Sequence, residues 1–143
     1  MSARVSVVLL ALALCATLRA SPREDLLFEL DTALKTRDGA GFAHCFNFKD
    51  TDEATRKAFI DMIGKILAWL SFDVSTTDRR ERGAPVFKQG GEEYTLNGEW
   101  QYQVHIFISP RNRHGFVFPA GPVDGGRDRI LVPVPVGSKA AAR

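Results

Sequence analysis

Four side chains in this sequence could together transfer a proton next to a carbonyl group. Tyr94, Trp100 and Tyr102 can each donate a hydrogen bond to an oxygen that gains negative charge. Asp73 could act as the base, provided that it lies near a pocket. No short motif joins these residues, and tyrosine and tryptophan are common in protein cores, so a core role is the default interpretation.

No pattern of histidine, cysteine or acidic residues predicts a metal site. His44 and Cys45 are adjacent, so their side chains would diverge by about 100° on a helix. The glycine-rich segment 124–128 has too few acidic ligands for a calcium loop and is interpreted as a turn. There is no phosphate-binding glycine motif, nucleophile elbow or CxxC pair. We therefore expect no metal and no cofactor.

Residues 1–20 have the organisation of a secretory signal peptide. An arginine supplies the positive charge, residues 5–18 form an apolar run, and Ala20 is a small residue at the cleavage position. The run is shorter than the roughly 20 residues that span a bilayer. We expect export to the periplasm or the extracellular space; the alternative is an uncleaved anchor. Lipid attachment at Cys15 is a weaker option, since Leu14 stands where a lipoprotein signal has a small residue.

Residues 21–143 have the size and composition of a single domain. The chain has 143 residues, of which 45% are apolar and 25% charged. It contains 19 basic and 17 acidic residues, and two arginines leave with the signal segment, so the remaining net charge is near zero. That balance predicts no binding to nucleic acid and no membrane contact after cleavage. Cys45 lies in an apolar stretch, and we expect a buried thiol.

Three helices are predicted ahead of the strands. The first begins at a capping box, Ser-Pro-Arg-Glu at residues 21–24, and ends at Gly39. A short second helix covers residues 41–46. The third is capped by the acidic segment 50–53 and ends near Leu70. Its apolar side chains spread over an arc of roughly 200°, which predicts that this helix is central.

The rest of the chain alternates with a period of two and predicts an antiparallel meander of four or five strands. Asn97 and Gly98 stand between strand-like segments and predict a two-residue type I′ turn with both residues at positive φ. Pro133 and Pro135 place the last strand at a sheet edge. Helices grouped before strands indicate the α+β class. The long strand directs one face towards the helices: Trp100, Tyr102, Val104, Ile106 and Ile108.

The other face of the long strand carries Gln101, Gln103, His105 and Phe107. These side chains are neither charged nor uniformly apolar, which suits a partly buried contact. We therefore predict a twofold homodimer in which this face of one protomer meets the same face of its partner.

The segment 33–43, ALKTRDGAGFA, resembles the passage between the first two helices of SnoaL-type domains. With its later long strands, the chain is similar to the NTF2-like, cystatin-type α+β superfamily over most of residues 21–143. The resemblance implies N-terminal helices packed on a curved antiparallel sheet that leaves a conical pocket. That superfamily contains isomerases, dehydratases and protein-binding modules, so the resemblance alone does not select a function.

Two classes of function remain. One is a non-catalytic exported module that binds a small apolar ligand or a protein partner. The other is a cofactor-free isomerase or lyase, of ketosteroid-isomerase or dehydratase type, that uses the same pocket. We favour the first because the ionisable residues fall mainly in loops and on outer faces. The candidate pocket residues are Trp69, at the edge of the apolar arc of the third helix, and Asp73, Tyr94, Trp100 and Tyr102.

We predict that the mature protein begins at Ser21, because the charged, apolar and small-residue regions occur in the order that signal peptidase requires. Intact-mass spectrometry of the exported protein should show the loss of residues 1–20. Full-length chain retained in the membrane fraction would contradict this prediction and support the anchor.

Overall fold

The computed structural model describes residues 20–83 and 85–137 and confirms the predicted α+β class. The predicted signal segment therefore lies almost wholly outside the described residues. Within them, no helix is long and apolar enough to cross a membrane. The helices precede the strands in the order α1 (Pro22–Lys35), α2 (Gly39–His44), α3 (Glu53–Leu67), β1 (Asp73–Asp78), β2 (Phe87–Gln89), β3 (Glu92–Leu96), β4 (Tyr102–Phe107), β5 (Gly115–Pro122), β6 (Asp128–Ile130) and β7 (Pro133–Pro135).

Helix α1 begins at the predicted capping box. The Glu24 amide donates to Ser21 Oγ at 3.3 Å, and the Ser21 amide donates to Glu24 Oε2 at 2.8 Å. The helix ends at Lys35, earlier than predicted, because Arg37 adopts a left-handed φ of 56° that cannot continue an α-helix. Gly39, the predicted end of this helix, instead begins α2.

The central helix is α1, and the prediction that the third helix is central is wrong. Helix α3 buries only Ile63 and Ile66, and Ile60 on the same helix is 42% exposed. Helix α1 contacts α2 and also β1 and β6, the two edge strands of the larger sheet. It therefore lies across that sheet, with its buried side chains beneath it: Leu26, Leu30, Ala33 and Leu34.

The strands form two antiparallel sheets, of which only the larger corresponds to the predicted meander. The larger sheet has the order β1-β4-β5-β6, and a separate three-stranded sheet has the order β2-β3-β7. Strand β4 directs Tyr102, Val104 and Ile106 into the core, as the alternation predicts. Trp100 and Ile108 lie just outside β4 and are half-buried.

The predicted hairpin at Asn97 and Gly98 is wrong. Neither residue has a positive φ, and β3 pairs with β2 and β7 rather than with β4. The two-residue turn instead joins β2 to β3 at Gly90 and Gly91, whose φ values are 60° and 83°. Those angles fit a type I′ turn, and two glycines adopt them without steric cost.

Asn97 is buried and holds three chain segments together. Its backbone amide donates to the Val132 carbonyl at 3.2 Å, and its Oδ1 accepts from the Val132 amide at 2.9 Å. Its Nδ2 donates to the carbonyls of Asn47 and Lys49, and Asn47 Nδ2 returns a bond to the Asn97 carbonyl. Because the buried amide has all of these partners, its burial costs little free energy. A turn at Asn97 would break these hydrogen bonds and is therefore disfavoured.

Two glycines allow the chain to cross from β3 to β4 in close contact with its neighbours. A Cβ atom on Gly98 would lie 2.6 Å from Leu131 Cδ2 and 3.3 Å from the Pro122 carbonyl oxygen. A Cβ atom on Gly121 would lie 1.8 Å from the Glu99 carbonyl oxygen. The segment that leads into β4 therefore rests directly on the backbone of β5.

Strand β7 is an edge strand, as its two prolines predict. Val132 accepts from Asn97, and the Val136 amide donates to the Glu93 carbonyl at 2.9 Å. Since neighbouring residues in a strand point their backbone groups to opposite sides, Pro133 and Pro135 face away from β3. No ladder hydrogen bond is lost to either proline.

We predict that Gly98→Ala lowers the free energy of unfolding by about 1–3 kcal/mol, because the new methyl group meets Leu131 in a packed region. Urea denaturation measures the change. The loss of stability should be smaller when Gly98→Ala is combined with Leu131→Val, because the shorter side chain leaves room for the new methyl group. A penalty that came only from the backbone φ at residue 98 would not depend on residue 131. Gly64→Ala is the control: nothing lies within 4 Å of its Cβ position in α3, so stability should rise by about 0.5–1 kcal/mol. An unchanged Gly98→Ala protein would refute the close packing.

Candidate functional site

A buried hydrogen bond joins β4 to β6 across the strand between them. Tyr102 Oη donates to Asp128 Oδ2 at 2.8 Å. Tyr102 and Ile130 both lie opposite Ala120 in β5, and Asp128 precedes Ile130 by two residues. The alternation of the strands therefore puts Tyr102 and Asp128 on one face of the sheet, where the tyrosine side chain reaches past Ala120.

Burial and the neighbouring carboxylate both act on Tyr102. Burial raises the pKa of its phenol, the hydrogen bond to Asp128 raises it further, and the charge of Arg23 opposes them in part. The hydroxyl therefore stays protonated and remains a donor to Asp128 across the neutral pH range.

The first turn of α1 lies above this pair. The Arg23 guanidinium stacks on the Tyr102 ring, 4.6 Å from its centroid, and Nε donates to Thr76 Oγ1 at 2.9 Å. It also pairs with Asp78 at 2.5 Å. Arg23 thus fixes the start of α1 against β1, and the capping box fixes the helix itself.

A second guanidinium lies on the other side of Asp128. Arg129 is buried; it donates to the Asp128 carbonyl at 2.8 Å, lies 3.6 Å from Glu29 Oε2, and its Nη2 lies 3.3 Å from His44 Nε2. Cys45 lies next to this cluster and is buried, as predicted. Burial, with a smaller contribution from Glu29, raises the pKa of the Cys45 thiol to about 12, so it is unreactive at neutral pH.

Two adjoining hollows open at this end of α1, and we call them together the helix-end groove. Their volumes are about 540 and 510 Å³, and both are lined by Pro22, Gly126 and Asp128. The first hollow also contacts Phe28, which is 74% exposed, and Arg129. The second contacts Tyr102 and Arg23. Asp128, only 7% exposed, therefore lies at the bottom of both.

Of the five predicted pocket residues, Tyr102 lines the helix-end groove. Trp100 is connected to it, since its Nε1 donates to the Tyr102 carbonyl at 3.0 Å, but its ring lies under Arg79 in a separate cleft. Tyr94 belongs to the smaller sheet, where it stacks on Phe87.

The other two predicted pocket residues lie at the opposite end of β4. Asp73 is the first residue of β1 and pairs with Phe107, the last residue of β4. Trp69 stacks on Phe116 with ring centroids 6.0 Å apart. The structure therefore distributes the five residues over several neighbourhoods.

The predicted interface residues occupy the outer face of the larger sheet. Gln101 is exposed and Gln103 half-buried, whereas Phe107 is only 8% exposed and packs edge-to-face on His105. Burial and the charge of Arg113 lower the pKa of His105. The accessible apolar side chain on this face is Val117, which lies opposite His105 and is 47% exposed. The homodimer stays a prediction, with Val117 as its exposed contact.

The sequence patterns did not predict Arg23, Phe28, Asp128 and Arg129 as site residues, and they indicated only a turn at residues 124–128. Residues 124–126 do form a turn. The available signal was the position of Asp128 and Arg129 directly before the apolar run Ile130, Leu131 and Val132, because charged residues that enter a buried strand require partners. The pairing of Asp128 with Tyr102, and of Arg129 with Glu29, depends on contacts between residues that are distant in sequence.

Neither a family model, nor a curated protein, nor a solved structure matches this chain. Within residues 20–83 and 85–137, no three His, Cys, Asp or Glu side chains are grouped so that they could hold a metal ion. No similar protein therefore indicates the chemistry of the helix-end groove, and only its own residues do.

We predict that Tyr102→Phe costs about 1–3 kcal/mol of stability at neutral pH, because Asp128 loses its donor. The raised pKa of Tyr102 stabilises the folded state while the phenol is protonated in both states. That contribution is lost as pH rises above the ordinary tyrosine value of about 10, where the unfolded state ionises first. Urea denaturation between neutral and alkaline pH should show a steeper loss in the parent than in Tyr102→Phe. Tyr94→Phe is the comparison: the hydrogen bond to Glu92 also raises the pKa of Tyr94, but this phenol lies outside the buried core, so the slope should fall less than in Tyr102→Phe.

Proposed function

We propose that this protein is a non-catalytic binding domain that holds a small polar ligand in the helix-end groove. The observation that carries the proposal is Asp128, a buried residue that lines both hollows and whose carboxylate is oriented by Tyr102. Each hollow has the volume of a small-molecule site, which is commonly about 300–1,000 Å³.

The walls of the groove are fixed before a ligand arrives. The capping box and the Arg23 contacts hold α1, and the sheet holds Tyr102 and Asp128. The rim formed by Gly125 and Gly126 has no side chains, and nothing lies within 4 Å of their Cβ positions. Because the floor is rigid and the rim is open, the protein would lose little conformational entropy when a ligand binds.

An isomerase or lyase would use the same groove, with Asp128 as the base. Such an enzyme also needs a free donor for the oxygen that gains charge. The Tyr102 proton is directed at Asp128 itself, so the nearest phenol is not available to a substrate. That arrangement favours binding over catalysis.

The polar lining changes the ligand that we expect. Carboxylates and guanidiniums dominate the groove, and its exposed apolar side chain is Phe28. This favours a polar ligand with one apolar part over the apolar ligand or protein partner expected from sequence. Export remains part of the proposal. We also propose NTF2-like ancestry, which is supported by helices that cover one face of an antiparallel sheet.

We predict that small polar aromatic compounds shift the amide resonances of residues 23–29 and 125–129 in nitrogen-labelled protein. Phe28→Ser should weaken this binding about tenfold, because it removes an apolar contact of one to two kcal/mol at the groove. Leu70→Ser is the matched control, since Leu70 is 96% exposed and does not line the groove. Shifts confined to other surfaces, or an equal loss in both variants, would overturn the proposed site.

A further inference from the structure

Asp128 is a buried carboxylate with unusually few partners. Its Oδ2 accepts from the Tyr102 hydroxyl, and no described residue donates to its other oxygen. Buried aspartates are as a rule paired with a cation or hydrogen-bonded on both oxygens, because an isolated buried charge is costly. The free oxygen belongs to a side chain that lines both hollows of the groove.

Two of the three guanidiniums that line the groove are engaged with other carboxylates; the third, Arg127, is exposed. Arg23 pairs with Asp78, and its plane covers the Tyr102 ring. Arg129 is directed to Glu29 and to the Asp128 backbone carbonyl. Neither forms an ion pair with the Asp128 carboxylate within the described part of the chain.

The side chains that line the groove carry one negative charge in excess. Its carboxylates are Asp25, Glu29, Asp78 and Asp128, and its guanidiniums are Arg23, Arg127 and Arg129. A mature chain that begins at Ser21 would place its α-ammonium beside the second hollow and offset this excess. The free oxygen of Asp128, rather than the net charge, therefore favours a cationic ligand as the missing partner.

We propose that the helix-end groove recognises a small primary amine, with its ammonium on the free oxygen of Asp128 and its apolar part against Phe28. The proposal rests on the proposed binding function of the groove. An ammonium needs only the free oxygen, whereas a bidentate guanidinium would have to share the other oxygen with the Tyr102 hydroxyl. Phe28 lines the same hollow as Asp128 and offers an exposed ring to the rest of the ligand.

Three probes with the same aromatic part separate the charge from the shape. They are 2-phenylethylamine, 2-phenylethanol and phenylacetate, each titrated into the full chain at low salt and neutral pH and followed by amide resonances and calorimetry. The amine should bind at least about tenfold more tightly than the alcohol, because a charge-assisted hydrogen bond to a buried carboxylate is stronger than a neutral one. Phenylacetate should bind most weakly.

Asp128→Asn tests the residue itself. Asparagine keeps an acceptor for the Tyr102 hydroxyl, so the fold should persist, while the amine should lose its tenfold advantage over the alcohol. Asp25→Asn is the matched control, since it removes an exposed carboxylate from the same hollow and should change the preference by less than about threefold.

The outcomes distinguish the two proposals. If the alcohol and the amine bind the groove of the parent equally, the ammonium proposal fails and the binding function of the groove stands. If no probe shifts the amide resonances of residues 23–29 and 125–129, both fail. A preference for the amine that Asp128→Asn leaves intact would place the ammonium elsewhere and refute the role of Asp128. If Asp128→Asn does not fold, the comparison of the three probes on the parent protein still tests the ammonium proposal.

Discussion

The hydrogen bonds of Asn97 decide how the strands of this protein are arranged. Its backbone and side chain both bind Val132, so the chain leaves β3 beside β7 and does not turn back into β4. The chain then crosses over Gly121 and enters β4 with Tyr102 opposite Ala120. Since Ala120 also faces Ile130, this register brings Tyr102 within hydrogen-bond distance of Asp128. The contact between Tyr102 and Asp128 in the groove thus depends on the hydrogen bonds of Asn97, a buried residue far from the groove.

The groove depends equally on where α1 begins. Ser21 and Glu24 complete the capping box, which starts the helix one residue before Arg23. Arg23 then reaches Thr76 on the core side of β1 and covers the Tyr102 ring. Without these contacts the first turn of α1 would fray, as helix ends do when their amides lack partners. The helix end therefore acts as a fixed wall opposite the glycine rim.

The electrostatics of this region favour recognition over chemistry. A catalytic carboxylate requires a donor that is free for the substrate, whereas here the tyrosine proton is directed at the carboxylate. The neighbouring guanidiniums are bound to other acids, and the Cys45 thiol is held protonated. What remains is a single oriented acceptor in a polar hollow, and for this reason we propose a binding site rather than an active site.

The features that depend on near neighbours could be predicted from the sequence. Local spacing predicts the capping box of α1, the acidic N-cap of α3, the core-facing side of β4, the edge position of β7 and the burial of Cys45. The tertiary structure decided which strand Asn97 joins, because a buried amide satisfied by Asn47, Lys49 and Val132 outweighs the local turn preference of Asn-Gly. It also decided that α1 rather than α3 is central, and that Tyr102, Asp128 and Arg23 meet in one groove. Those residues are brought together by strand register and by helix packing across the sheet, which no short segment encodes.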